Sequence, residues 1–172
     1  MTRGLKRFQK SGQTHFVTFS CYRRQTKLTA SDACAILVIV MERVRRRYDF
    51  CVYGYVIMPE HVHLLLSEPK RGELSAAIKS IKLTASLRVH RMGGVKNSEP
   101  LWQKQYYDRN IRSYNDFVEK MRYIHRNPVK RGLCVNPGDW RWSSFRHYLT
   151  GERGVVEIES EWTARRRVHP AP

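Results

Sequence analysis

With 172 residues, 41% of them hydrophobic, the chain suits one domain with a real core, and no apolar run reaches the length of about 18 residues that a membrane span needs. Lys and Arg total 32 against 15 Asp and Glu, a net charge of +17, so a polyanion is the expected partner: nucleic acid first, an anionic membrane surface second. The start, MTRGLKRFQKSGQTHF, has no apolar centre of signal-peptide length, and Cys21, Cys34, Cys51 and Cys134 form no CxxC pair, so the expectation is a cytoplasmic, nucleoid-associated protein with reduced thiols and no zinc knuckle.

Residues 14–22, THFVTFSCY, alternate as a strand, with Val17, Phe19 and Cys21 on one face and Thr18 and Ser20 on the other. Thr29, Ser31 and Asp32 offer N-cap chemistry for a helix whose stripe is Leu37, Val40, Met41 and Val44. Residues 50–58 and 61–67, broken at Pro59-Glu60, predict an antiparallel strand pair. From Glu73 to about Arg91, Leu74, Ala77, Ile78, Ile81 and Ala85 recur at helical spacing, with Lys79 and Lys82 on another side. Residues 101–112, LWQKQYYDRNIR, fit a fourth strand or an extended segment. Ser113 or Asn115 can cap a third helix from about Tyr114, with Phe117, Met121 and Ile124 as its stripe; Pro128 disturbs it, and Gly132 ends the short stretch beyond the proline.

This order predicts an α+β protein: the ferredoxin-like β-α-β-β-α-β order around an antiparallel sheet, with an added C-terminal helix. The domain is expected to span 1–150. Residues 151–172 look like a tail with little core potential, expected to fold back near the open sheet face and modulate access to it.

Within YVIMPEHVHLLLSEP, alternation puts Val62, Leu64 and Leu66 on one face and His61, His63 and Leu65 on the other. The leucine face is the natural core. The two imidazoles then share the open face about 7 Å apart along the strand, close enough to lean onto one metal ion or one phosphate. No further His or Cys lies nearby to complete a tetrahedral zinc site, so an ion with open positions suits the pair better. The competing reading is a pair of histidines decorating a solvated strand.

A phosphate held by an ion still needs an attacker, either water or a side chain. Of nine tyrosines, Tyr123 lies on the third helix off its apolar stripe, with Asn127 at i+4 on the same face. An amide oxygen there can serve as an extra hard ligand or orient a phosphate. Equally, Tyr123 can pack at the core edge while Asn127 caps the helix before Pro128.

YVIMPEHVHLLL, succeeded by YIHRNPVKRGL and then WRWSSFRHY, resembles the single-tyrosine HUH transposases, and more closely their REP-associated tyrosine transposase branch. HFVTFSCYRRQTKL and LWQKQYYDRNIR also fit, so the resemblance spans roughly residues 10–150. It implies that the HUH strand is central to the sheet, that His61, His63 and Asn127 hold Mg²⁺ or Mn²⁺, and that Tyr123 is the nucleophile. Asn127 stands where the wider family often has glutamine. The implied reaction cleaves and rejoins single-stranded or hairpin DNA through a 5′-phosphotyrosine, with no nucleotide cofactor. A monomer is favoured over a dimer.

Candidates to hold the DNA are an N-terminal arm of Arg3, Lys6 and Arg7, then Arg23, Arg24 and Lys27, and Lys79, Lys82 and Arg88 on the second helix. Arg141, Trp142 and Arg146 join them in the aromatic C-terminal run. Any one of these charges also reads as a solvated surface group. Two other readings of the whole stay open: a basic hairpin-binding module that never cuts, and a metal-dependent nuclease that uses water.

Overall fold

Side-chain alternation decides the layers. In the computed structural model, which describes residues 13–93 and 99–168, four strands form one antiparallel sheet in the order β2-β3-β1-β4. They are β1 (Thr14–Ser20), β2 (Val52–Ile57), β3 (His61–Ser67) and β4 (Tyr107–Asn110). The described helices are α1 (Ser31–Tyr48), α2 (Leu74–Arg91), α3 (Tyr114–Lys130), α4 (Phe145–Thr150) and α5 (Glu161–Val168), so the first six main elements run β-α-β-β-α-β as expected. No described helix is long and apolar enough to cross a membrane.

One sheet face carries Val17, Phe19, Val62, Leu64 and Leu66, packed against Leu37, Val40, Met41 and Val44 of α1 and Ala77, Ile78, Ile81 and Ala85 of α2. Both helical stripes are those predicted by periodicity. The opposite face is not left open. α3 lies across it, and Phe16, Val56, Met58, Leu65, Ile111 and Ile124 form a second, smaller core there, flanked by Phe117 and Met121. The approach is close: a Cβ on Gly54 of β2 would sit 2.6 Å from Met121 Sδ, so glycine is what lets α3 seat on the sheet.

Several boundaries differ from the sequence reading. α1 begins after Ala30, and no side chain caps it; Ser31 and Asp32 lie inside the first turn, where Asp32 still complements the helix dipole. Ser113 does cap α3, accepting from Asp116 N. The fourth strand is only Tyr107–Asn110, because Leu101 and Trp102 are drawn into the main core and the Trp102 indole donates to Lys82 O at 3.0 Å. The one buried side chain of β4, Asp108, faces His15 Nδ1 at 2.8 Å. Pro128 does not end α3, which continues to Lys130; the missing N–H removes one bond from the helical ladder without breaking it.

The segment after residue 150 carries more of the core than its composition suggested. Val156 and Ile158 are buried in the main core. Glu159 N donates to Val52 O at 2.8 Å, and Glu157 N donates to Glu42 Oε2 on α1 at 3.0 Å. Just upstream, Ile57 N donates to Trp142 O at 2.8 Å and Ser144 N to Tyr55 O at 3.0 Å. The C-terminal chain therefore covers the edge of β2 and packs on α1, rather than folding over the histidine face. An uncovered edge strand exposes unpaired N–H and C=O groups, and two apolar residues at i, i+2 suffice to pin the chain beside it.

Candidate active site

The register of β1 against β3 places Thr18 opposite His63 and Ser20 opposite His61. All four side chains share the face that α3 covers. His61 and His63 are consequently buried, 4% and 5% exposed, instead of decorating a solvated surface. Their Nε2 atoms are 2.9 Å apart. Each ring is gripped at its other nitrogen: His61 Nδ1 lies 3.0 Å from Glu60 Oε1, and His63 Nδ1 lies 2.7 Å from Thr18 Oγ1. Phe16 stacks on His63 at 5.2 Å between centroids.

α3 completes the site from above. The Tyr123 ring lies edge-on to His63, 5.2 Å between centroids, and is 42% exposed, so the phenol borders both the imidazole pair and solvent. Asn127, one turn further along, is buried. Lys120, one turn earlier, holds its ammonium 5.3 Å from the Phe16 ring and 5.9 Å from the Tyr123 ring. At the end of α3, Arg131 Nη1 donates to Glu60 Oε1 at 2.7 Å.

Burial sets the electrostatics. Desolvation, aided by the charges of His61, Arg24 and Lys120, pushes the His63 imidazole down to about 3. Desolvation also lowers His61, although Glu60 opposes it. Both rings are therefore neutral at ordinary pH, and their Nε2 atoms share a hydrogen bond that a bound ion would replace. Burial works to raise the Glu60 carboxyl, but the hydrogen bond and charge of Arg131, together with the interaction with His61, outweigh it and hold it below the usual range. Glu60 is thus an anion paired with the Arg131 guanidinium.

The donor set fits a divalent ion. Two ligands at right angles on an ion with bonds of about 2.1 Å lie about 3.0 Å apart, close to the observed Nε2 separation. No cluster of three or more His, Cys, Asp or Glu suited to an ion occurs among the described residues, so further ligands would come from an amide such as Asn127 and from substrate oxygens.

The other sequence candidates scatter. Arg3, Lys6 and Arg7 lie outside the described residues. Arg23 and Arg24 are exposed at the end of β1 in left-handed backbone, φ 52° and 53°, an uncommon state for arginine, and Arg24 sends its charge toward both histidines. Lys27 is engaged by Glu99 and Pro100 O, and Lys82 by the carbonyls of Gln103 and Lys104. Lys79, Lys82 and Arg88 sit on α2, in the layer opposite the histidines. Trp142 packs against the main core with Arg141 over its ring at 5.1 Å, and Arg146 donates to Gly138 O. Sequence reasoning missed Glu60, Thr18, Lys120 and Arg131. Thr18 was legible on the histidine side of β1, and Lys120 at i−3 from Tyr123; nothing local pointed to Arg131.

A buried histidine pair under a tyrosine-bearing helix suits the class that the sequence motifs resemble, and comparison with known proteins shows the family. The family model for IS200-like transposases matches residues 8–127, a stretch that includes His61, His63, Tyr123 and Asn127, and the chain belongs to that family. Membership implies an enzyme that processes DNA. More particularly, the chain is 26% identical over 155 residues to a REP-associated tyrosine transposase of Escherichia coli (strain K12), covering 90% of this chain and 88% of that protein. It is also similar, with a TM-score of 0.72 and 26% identity over 92% of each chain, to a solved REP-associated tyrosine transposase bound to a REP hairpin. The resemblance read from the sequence motifs therefore holds.

Proposed function

We propose that this chain, built on a ferredoxin-like frame, cleaves and rejoins single-stranded DNA beside REP-like hairpins, using Tyr123 as nucleophile. The observation that carries this reading is the His63–Tyr123 contact at 5.2 Å beside an Nε2 pair 2.9 Å apart, all within one chain. The hairpin substrate is supported by the similar structure that binds a REP hairpin.

His61, His63 and Asn127 would hold Mg²⁺ or Mn²⁺. When bound, the ion polarises the scissile phosphate and neutralises its developing charge. Tyr123 Oη attacks phosphorus in line and loses its proton. The bond from phosphorus to the 3′-oxygen breaks, and that oxygen leaves as a 3′-OH after gaining a proton. The 5′-phosphate stays esterified to Tyr123. Attack by a 3′-OH reverses the step and reseals the strand, so the ester conserves the bond energy and no nucleotide cofactor enters. Arg24 and Lys120 add positive charge beside the site for the phosphate backbone. Because every proposed group comes from one chain, the monomer suffices.

The test is covalent-adduct formation on a single-stranded REP-type hairpin with Mn²⁺. Wild type is expected to form an adduct, Tyr123→Phe none, and chelation is expected to stop the reaction. Adducts from Tyr123→Phe would refute the nucleophile. Cleavage without adduct would favour a water-using nuclease, and binding without cleavage a non-catalytic module.

A further inference from the structure

We infer that Glu60 is a positioning residue: its carboxylate selects the His61 tautomer that turns the Nε2 lone pair into the site, and couples that ring to the helix carrying Tyr123. The inference rests on the proposed use of the histidine pair as ligands.

A carboxylate can only accept hydrogen bonds, so His61 Nδ1, 3.0 Å from Glu60 Oε1, must carry the proton. Nε2 of the neutral ring is then necessarily the lone pair, and it faces His63. Thr18 grips His63 in the same way but without this choice, because a hydroxyl can either donate to Nδ1 or accept from it. Of the two partners, only Glu60 dictates a tautomer. Ligating histidines generally need such a partner behind them, and its removal typically weakens metal binding by about 10–100-fold.

The same oxygen has a second task. Glu60 Oε1 also accepts from Arg131 Nη1 at 2.7 Å, and Arg131 lies one turn beyond Asn127 at the end of α3. One atom thus joins the start of β3 to the helix that bears Tyr123 and Asn127. Glu60 is 6% exposed, and its Oε2 is buried with no hydrogen-bond partner among the described residues. Stranding a carboxylate oxygen in this way is costly, more than a purely packing role would call for.

The experiment compares wild type, Glu60→Gln, Glu60→Ala and Arg131→Ala by three readouts: Mn²⁺ affinity by calorimetry, the His61 tautomer by ¹⁵N NMR, and thermal melting. Wild type is expected to show a single Nδ1–H tautomer. Both Glu60 variants should show mixed tautomers and at least about tenfold weaker Mn²⁺ binding. Gln keeps the size of Glu but offers an amide N–H₂ as well as an oxygen, so it carries the test if Glu60→Ala does not fold. Arg131→Ala should give a smaller loss of affinity, since Glu60 keeps His61 but loses its tie to α3. The inference is overturned if both Glu60 variants keep the wild-type tautomer, whether or not affinity falls with melting temperature. If wild type takes up no Mn²⁺, the metal reading of the site falls, and the tautomer comparison alone decides the role of Glu60.

Discussion

His125 Nε2 lies 2.8 Å from the Ser144 hydroxyl, and that bond ties the tyrosine helix to the segment covering the edge of β2. Ser144 Oγ also accepts from Tyr55 N at 3.0 Å, so three elements meet at one hydroxyl. Burial pushes His125 down to about 4, which makes it a neutral ring whose Nε2 is committed to Ser144. Ser144→Ala leaves that nitrogen and the Tyr55 amide without this partner. The expected cost is about 1–3 kcal/mol in urea unfolding at neutral pH. A change within experimental error would mean that the Ser144 hydroxyl adds nothing to how α3 is held.

Gly54 sets how closely α3 approaches the sheet. Gly54→Ala should push Met121 outward, displace Tyr123 from His63, and slow adduct formation by about tenfold or more, since small misplacements of reacting groups are costly. Adding Met121→Ala removes the clashing sulfur and should recover part of the rate. A double variant no faster than Gly54→Ala would count against a steric cause.

Lys120 is placed to favour negative charge near Tyr123 and the bound strand. Lys120→Met should slow adduct formation several-fold and flatten its dependence on salt, while melting temperature stays near wild type. An unchanged rate at low salt would show the ammonium to be a bystander.

Acid should loosen the C-terminal chain through Glu42. Burial works to raise this carboxyl, but bonds from Arg45, the Glu157 amide and Arg46 hold it below the usual glutamate range. A depressed folded-state value means stabilisation that is complete above the unfolded-state pKa and is lost as pH falls through the folded one. Glu42→Gln should therefore cost about 1 kcal/mol at pH 7, a figure discounted because Arg46 is largely exposed, and nothing once Glu42 is protonated in wild type. Urea unfolding of both proteins from pH 7 to pH 3 reads this directly; a gap that widens toward low pH would reverse the assignment.

Much of the frame was legible because its signals are local. Period-2 alternation marked both faces of β1 and β3, and 3.6-residue stripes marked α1, α2 and α3. The bounds of β3, His61–Ser67, were those read from the sequence. Failures came where a distant partner overrode the local pattern. Trp102 pairs with Cys21 only as an isolated bridge while its ring enters the core, the α1 start went without a side-chain cap, and Val156 and Ile158 found a sheet edge that their charged neighbours concealed.

The sequence by itself determined that two imidazoles share one strand face, that a tyrosine and an amide share one helix face a turn apart, and that the protein carries +17 of charge for a polyanion. Those are properties of periodicity and composition. Only the tertiary structure decided that the helix face meets the strand face within one chain. It also decided that burial makes both imidazoles neutral, and that Glu60, Thr18 and Arg131 stand behind the candidate site. Desolvation and hydrogen-bond geometry depend on what lies across space, and 71 residues separate Glu60 from Arg131 along the chain.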